Sequence, residues 1–114
     1  MGRITDPDAF ERYKIILSYW TFRGYIQWKR VAREWLDKEL PNYTAEAIHE
    51  LMHNHVAAGG AVDQVIETRP EYVAYRFHYD FRLPISGRRV YIETVFIEDD
   101  DPDPTIRVVS IHDA

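Results

Sequence analysis

The sequence predicts an α+β fold: three N-terminal helices packed on one face of a four-stranded antiparallel meander. Two observations carry this. Up to about Gly60, apolar residues recur at helical spacing; beyond it they alternate. The clearest alternation is Val73 to Leu83, V-A-Y-R-F-H-Y-D-F-R-L. Val73, Tyr75, Phe77, Tyr79, Phe81 and Leu83 are expected on one face. Ala74, Arg76, His78, Asp80 and Arg82 are expected on the other, because successive side chains leave opposite sides of a pleat.

Each element has its own signal. Asp6-Pro7-Asp8 starts a helix: Asp caps, Pro fits the first turn, and a second Asp suits the dipole. Phe10, Tyr13, Leu17 and Trp20 follow at helical spacing, and Gly24 breaks the pattern. A second helix is expected from about Ile26 to Leu40, with Trp28, Val31, Ala32, Trp35 and Leu36 on one side. Pro41-Asn42-Tyr43 is a turn. Thr44 caps a third helix whose stripe is Ile48, Leu51, Met52, His55 and Val56, closed by Gly59-Gly60. Val62 to Arg69, the long alternating run, Val90 to Ile97, and Ile106 to Ile111 are the expected strands. Ile85-Ser86-Gly87 joins the middle two as a hairpin.

The chain of 114 residues suits a single domain, 1–114. There is no cysteine, hence no disulfide framework and no thiolate chemistry, which is compatible with a cytoplasmic location. The opening M-G-R-I-T-D-P has no apolar signal core. No apolar run approaches the ~20 residues of a membrane helix. Net charge is −5, but Glu98, Asp99, Asp100, Asp101 and Asp103 supply it; the remaining 14 acidic residues match the 14 basic ones. A neutral body with one acidic loop argues against a globally basic nucleic-acid binder. Beyond Gly60 every Lys or Arg is Arg, the residue whose planar fork pairs with carboxylate or phosphate.

His49-Glu50-Leu51-Met52-His53 matches H-E-x-x-H on a helix. Two His four apart share a face and can reach one Zn²⁺, with the Glu as base. This five-residue stretch resembles the zincin motif. Its third ligand would come from Glu67, Glu71, His78 or His112. On the helical wheel His49 and His53 sit at the border of the buried stripe, and Glu50 nearly opposite. His55, on the stripe itself, reads as a hydrogen-bonded core residue.

The polar strand row offers a second constellation. Arg76, His78 and Arg82 lie on it with Asp80, and Arg69, Glu93 and Arg107 join if neighbouring strands keep register. Several Arg, a His and a Glu can hold a phosphate and move protons; cross-strand ion pairing is the structural alternative. Asp99-Asp100-Asp101-Pro102-Asp103 lacks the Gly and Glu of an EF-hand and reads as a solvated hairpin loop. Trp20, Trp28 and Trp35 read as core with a share of partner surface.

Helices followed by a four-stranded antiparallel sheet bearing Arg76, His78 and Arg82 on an open face resemble the RelE-like and MqsR-like toxin endoribonucleases, over roughly residues 44 to 112. The resemblance implies RNA cleavage without a metal or other cofactor. His78 would be the proton-transfer group, Arg69, Arg76, Arg82 and Arg107 the phosphate contacts, and Glu93 the base or orienter. It also implies an antitoxin partner. Two alternatives stand beside it: a protein-interaction module using the Trp-bearing helices or the acidic loop, and a zinc protein through His49 and His53. A homodimer through the sheet is expected if the polar face is buried.

Overall fold

The computed structural model describes residues 2–114. Helix α1 spans Pro7–Leu17. Asp6 caps it, its Oδ1 accepting from Ala9 N at 3.1 Å. It ends before Gly24: Tyr19 N and Trp20 N turn back to Ile16 and Leu17 carbonyls three residues away. The run S-Y-W-T-F is rich in residues that lose side-chain freedom in a helix. α3 spans Ala45–Ala57 and is capped by Thr44, as expected, with Oγ1 accepting from Ala47 N at 3.1 Å.

The second expected helix divides. Ile26–Trp28 is a short strand, β1, and only Arg30–Glu39 is helical, α2. Three residues of apolar-polar-apolar fit either period, so the sequence could not separate them. Pairing decides: β1 runs parallel to β5, with Ile26 opposite Ile106 and Trp28 opposite Val108. Trp28 therefore does not share a helix face with Trp35, and Val31 is exposed while Ala32 and Leu36 are buried.

The remaining strands are β2 (Asp63–Ile66), β3 (Phe77–Ile85), β4 (Arg88–Ile97) and β5 (Thr105–Asp113). The sheet is thus five-stranded and mixed, in the order β1-β5-β4-β3-β2, not a four-stranded meander. β3 and β4 meet at a two-residue turn in which Ser86 (φ 54) and Gly87 (φ 74) are both left-handed. That is the turn whose twist matches flanking strands. No helix among the described residues is long and apolar enough to cross a membrane.

The long alternating run is also shorter than its pattern. Val73–Tyr75 forms a 3-10 turn, and Arg76, at φ 68 and ψ −48, reverses the chain into β3. Side-chain alternation cannot reveal a residue forced to positive φ, so Val73 to Arg76 read as strand. Val73 is exposed and Tyr75 lies on the other side of the sheet from Phe77.

The three helices cover one face. Phe77, Tyr79, Phe81, Leu83, Ile92, Phe96, Ile106 and Val108 meet Ala9, Tyr13, Leu17, Leu36, Ile48 and Met52 there. At its centre Tyr13 stacks on Tyr79 with ring centroids 4.2 Å apart. The Thr94 hydroxyl donates to the Tyr79 carbonyl at 3.0 Å, so Tyr13 must be the donor in its 2.8 Å contact with Thr94 Oγ1. Burial pushes the Tyr13 phenol up and keeps it a donor. Gln64, buried on β2, ties the N-terminal segment down. Its Oε1 accepts from Thr5 N and Asp6 N, and its Nε2 donates to Asp6 O and Tyr79 Oη.

Tyr13→Phe should therefore cost about 1 kcal/mol, one buried hydrogen bond. Thr94→Val, which leaves the Tyr13 hydroxyl without an acceptor, should cost more, about 2 kcal/mol. Denaturant unfolding at unchanged slope checks both; equal losses would mean that the chain of donors runs otherwise.

Candidate functional site

The face away from the helices carries three rows across the strands. In the first, Val65, His78, Val95 and Arg107 are successive partners. In the second, Asp63, Asp80, Glu93 and Ser110 are partners. In the third, Arg82, Tyr91 and His112 are partners. The register shifts between Glu93 and Thr94, so Val109 is an extra residue on β5. Such a bulge re-aims side chains. Here Val109 joins Val95 and Ile97 in a small apolar patch.

Residues 67–76 fold over that patch as a strap. Tyr72 and Tyr75 pack on Val95, Ile97 and Val109. Lys29 Nζ donates to Tyr72 Oη at 3.0 Å, and the Arg69 guanidinium lies 4.8 Å from the Tyr72 ring centre. The strap delivers Arg69 between two carboxylates. Arg69 Nε and Nη2 donate to Glu67 Oε1 and Oε2, each at 2.8 Å, and Nη2 also donates to Glu93 Oε2. The Glu67 side chain is 1% exposed and that of Glu93 10%. Arg69 holds the Glu67 carboxyl well below the usual range, at about 2.

His78 is next to this pair. Its Nδ1 lies 2.7 Å from Asp80 Oδ1. A carboxylate only accepts, so Nδ1 carries the hydrogen and Nε2 is left for something else. The hydrogen bond to Asp80 raises the His78 pKa; burial opposes it, and Asp80, Glu93 and Glu67 add to the rise. Tyr91 donates to Glu93 Oε1 at 3.3 Å, its phenol pushed up first by burial and then by Asp80. His78, Asp80 and Glu93 each offer a ligand atom, all within 4.8 Å of one another. The cluster can move protons through an oriented imidazole or hold a cation.

The expected site residues separate. His78, Glu93 and Arg69 come together. Arg82 is on the same face but donates to Asp63 Oδ2 at 2.9 Å and lies over the Tyr91 ring. Arg107 keeps the face but sits two strands from His78, about 10 Å away, beyond the apolar Val95 and beside the acidic loop. Arg76 is not in the row: its positive φ swings it to Asp6 Oδ2, at 3.0 Å. Three members carried no assigned role in the sequence. Asp80 reads as an exposed row member and is buried. Glu67 stands out only as a spare metal ligand. Tyr91 alternates with Glu93 in V-Y-I-E, a signal that could have placed it on this face.

The H-E-x-x-H residues have another use. His49 is buried, and its Nε2 accepts from Trp28 Nε1 at 2.8 Å, so that lone pair is engaged. Burial lowers the His49 pKa to about 4. His53 is half-buried beside Trp20, and Glu50 is exposed. Glu67 and His78 lie on the opposite face of the sheet. His55 is half-buried, and its Nε2 meets the Ala61 carbonyl at 2.7 Å. In the acidic loop Asp100 Oδ2 accepts from Thr105 Oγ1 at 2.8 Å. Trp20, Trp28 and Trp35 are all half-buried against the core.

Two outcomes follow from these environments. Unfolded, His49 titrates near 6.5; folded, near 4. Between those values the unfolded chain binds more protons, so acidification through that window favours unfolding. His49→Gln, whose amide oxygen still accepts from Trp28, should flatten the stability profile between pH 6.5 and 4; an unchanged profile would assign the acid sensitivity elsewhere. Arg69→Met should cost about 2–3 kcal/mol by leaving two buried carboxylates without their cation. This figure is discounted because the guanidinium side chain is 39% exposed. Adding Glu67→Gln should recover part of that loss in a double-mutant cycle.

No protein-family model, curated protein or solved structure gives a significant match to this chain.

Proposed function

We propose that the chain is a small hydrolase that acts on the RNA backbone from the cluster of His78, Asp80, Glu93 and Arg69. The observation that carries this reading is the hydrogen bond from half-buried His78 to buried Asp80 beside a second buried carboxylate, Glu93. Two acids directly opposite on neighbouring strands repel each other. A fold tolerates such a pair more readily where chemistry needs it, because strained and charged groups collect at working sites. The face around it is partly open: Arg82 and His112 are exposed, and Tyr91, Ser110 and His78 are half-exposed.

An aromatic and cationic border suits RNA. Arg82 lies over Tyr91, and Tyr91 stacks on His112 with centroids 4.8 Å apart. Bases stack on such platforms without sequence preference. The bond broken is a P–O bond of the backbone. The attacking oxygen loses its proton to the cluster and the leaving oxygen takes one up.

The test is cleavage of a labelled single-stranded RNA by purified protein, with divalent cations supplied. Wild type should cleave. His78→Gln and Glu93→Gln should lower the rate a hundredfold or more, the usual scale for a lost catalytic group, with circular dichroism showing both folded. Tyr91→Ala should weaken RNA binding more than it slows the bound reaction. No cleavage by wild type, or equal cleavage by His78→Gln, would sink this reading.

A further inference from the structure

We propose that His78, Asp80 and Glu93 form a binding site for one divalent cation of the manganese or zinc class. The inference rests on the reading of this cluster as the hydrolytic site and names its cofactor.

Charge is the first argument. Glu67, Asp80 and Glu93 are all buried. Against these three carboxylates stand one guanidinium and one imidazole. The cluster keeps a negative excess even with His78 protonated. A phosphodiester approaching it would meet repulsion, and the arginines expected to offset that are committed. Arg69 holds Glu67 and Glu93, Arg82 holds Asp63, and Arg76 has left for Asp6. Arg107 lies beyond Val95. A bound divalent cation neutralises that excess, and it is the group that most directly draws a phosphate oxygen in.

Geometry is the second. The three ligand atoms lie within 4.8 Å of one another. His78 Nδ1 and Asp80 Oδ1 are 2.7 Å apart. Two ligands at right angles, each about 2.1 Å from one cation, stand roughly 3 Å apart. For this pair, replacing the Nδ1 hydrogen by a cation, with the ring hydrogen then on Nε2, asks for a few tenths of an ångström; Glu93 must come within ~4.2 Å of both, the widest separation of two ligands held at about 2.1 Å. Rigid strands supply two of the ligands from opposed register positions, Asp80 and Glu93. Arg69 and Tyr91 fix Glu93 from behind by hydrogen bonds, as outer groups do for metal-binding carboxylates.

Chemistry selects the ion. One imidazole with two carboxylates suits manganese, iron or zinc; all-oxygen sites suit magnesium and calcium. Three protein ligands leave coordination positions for water and substrate. The H-E-x-x-H helix competes for the same ions on paper, but His49 Nε2 already accepts from Trp28.

Titration of the metal-free protein with MnCl2 alone, and separately with ZnCl2, tests the site by calorimetry and, for manganese, by electron paramagnetic resonance. One equivalent should bind. His78→Ala and Glu93→Gln should each weaken binding at least tenfold, and His53→Ala should leave it unchanged. Asp80→Asn, which keeps the side-chain shape, guards against a variant that merely misfolds and should also lose affinity. Binding that survives His78→Ala, binding lost in His53→Ala, or no binding up to millimolar cation would overturn the proposal. RNA cleavage that persists in chelator would overturn it and leave the hydrolase reading standing. Cation bound through His78 and Glu93 with no RNA cleavage would do the reverse.

Discussion

Arg69 between Glu67 and Glu93 is the contact on which the outer face depends. Both carboxylates are buried, and Arg69 is the cation that pairs with both. Burying an acid without a partner costs several kcal/mol and ordinarily forces protonation. Glu67 is instead held near 2. The strap that carries Arg69 must therefore be in place for the guanidinium to reach Glu67 and Glu93. Tyr72 and Tyr75 on the Val95–Ile97–Val109 patch keep it there, and Lys29 reaches Tyr72 from the neighbouring layer. A few apolar contacts on the outer face thus hold the cation of a polar site one row away.

The two faces of the sheet spend their residues differently. On the helix side polar groups close among themselves: Tyr13, Thr94 and Tyr79 form one chain of donors, and Gln64 uses both ends of its amide. Such networks are fully satisfied and specify a unique packing. On the outer side Asp63, Asp80 and Glu93 form a line of acids across three strands, a local conflict that the paired cations Arg82 and Arg69 offset at its two ends.

The sequence made the helix starts legible, because Asp6 and Thr44 cap by side-chain chemistry that is local. It made Phe77 to Leu83 legible because alternation is local too. What it hid was long-range. Ile26–Trp28 is a strand only because β5 lies beside it, and Val73–Tyr75 leaves the strand only because Arg76 turns. The site was half visible for the same reason. His78 and Glu93 could be put on one face by period, but Glu67 enters through the strap. Asp80 is buried by neighbours the sequence does not name, and Arg76 departs through a dihedral angle. Counting arginines on a face suggested a phosphate cradle; pairing them one by one leaves an acidic one.

His49 and His78 show why motif spacing is a weak guide to chemistry here. His49 sits in a five-residue match to a metal motif, yet burial drives it neutral and Trp28 occupies its acceptor nitrogen. It serves the joint between β1 and α3. His78 belongs to no motif, yet a carboxylate orients it through Nδ1 and other acids surround it. Spacing states which side chains can point the same way. Whether a nitrogen still has a lone pair to give, and whether the surroundings want a positive charge, is decided by partners far away in the chain. By that criterion the sheet face, and not the helix, gathers the oriented imidazole and the buried carboxylates.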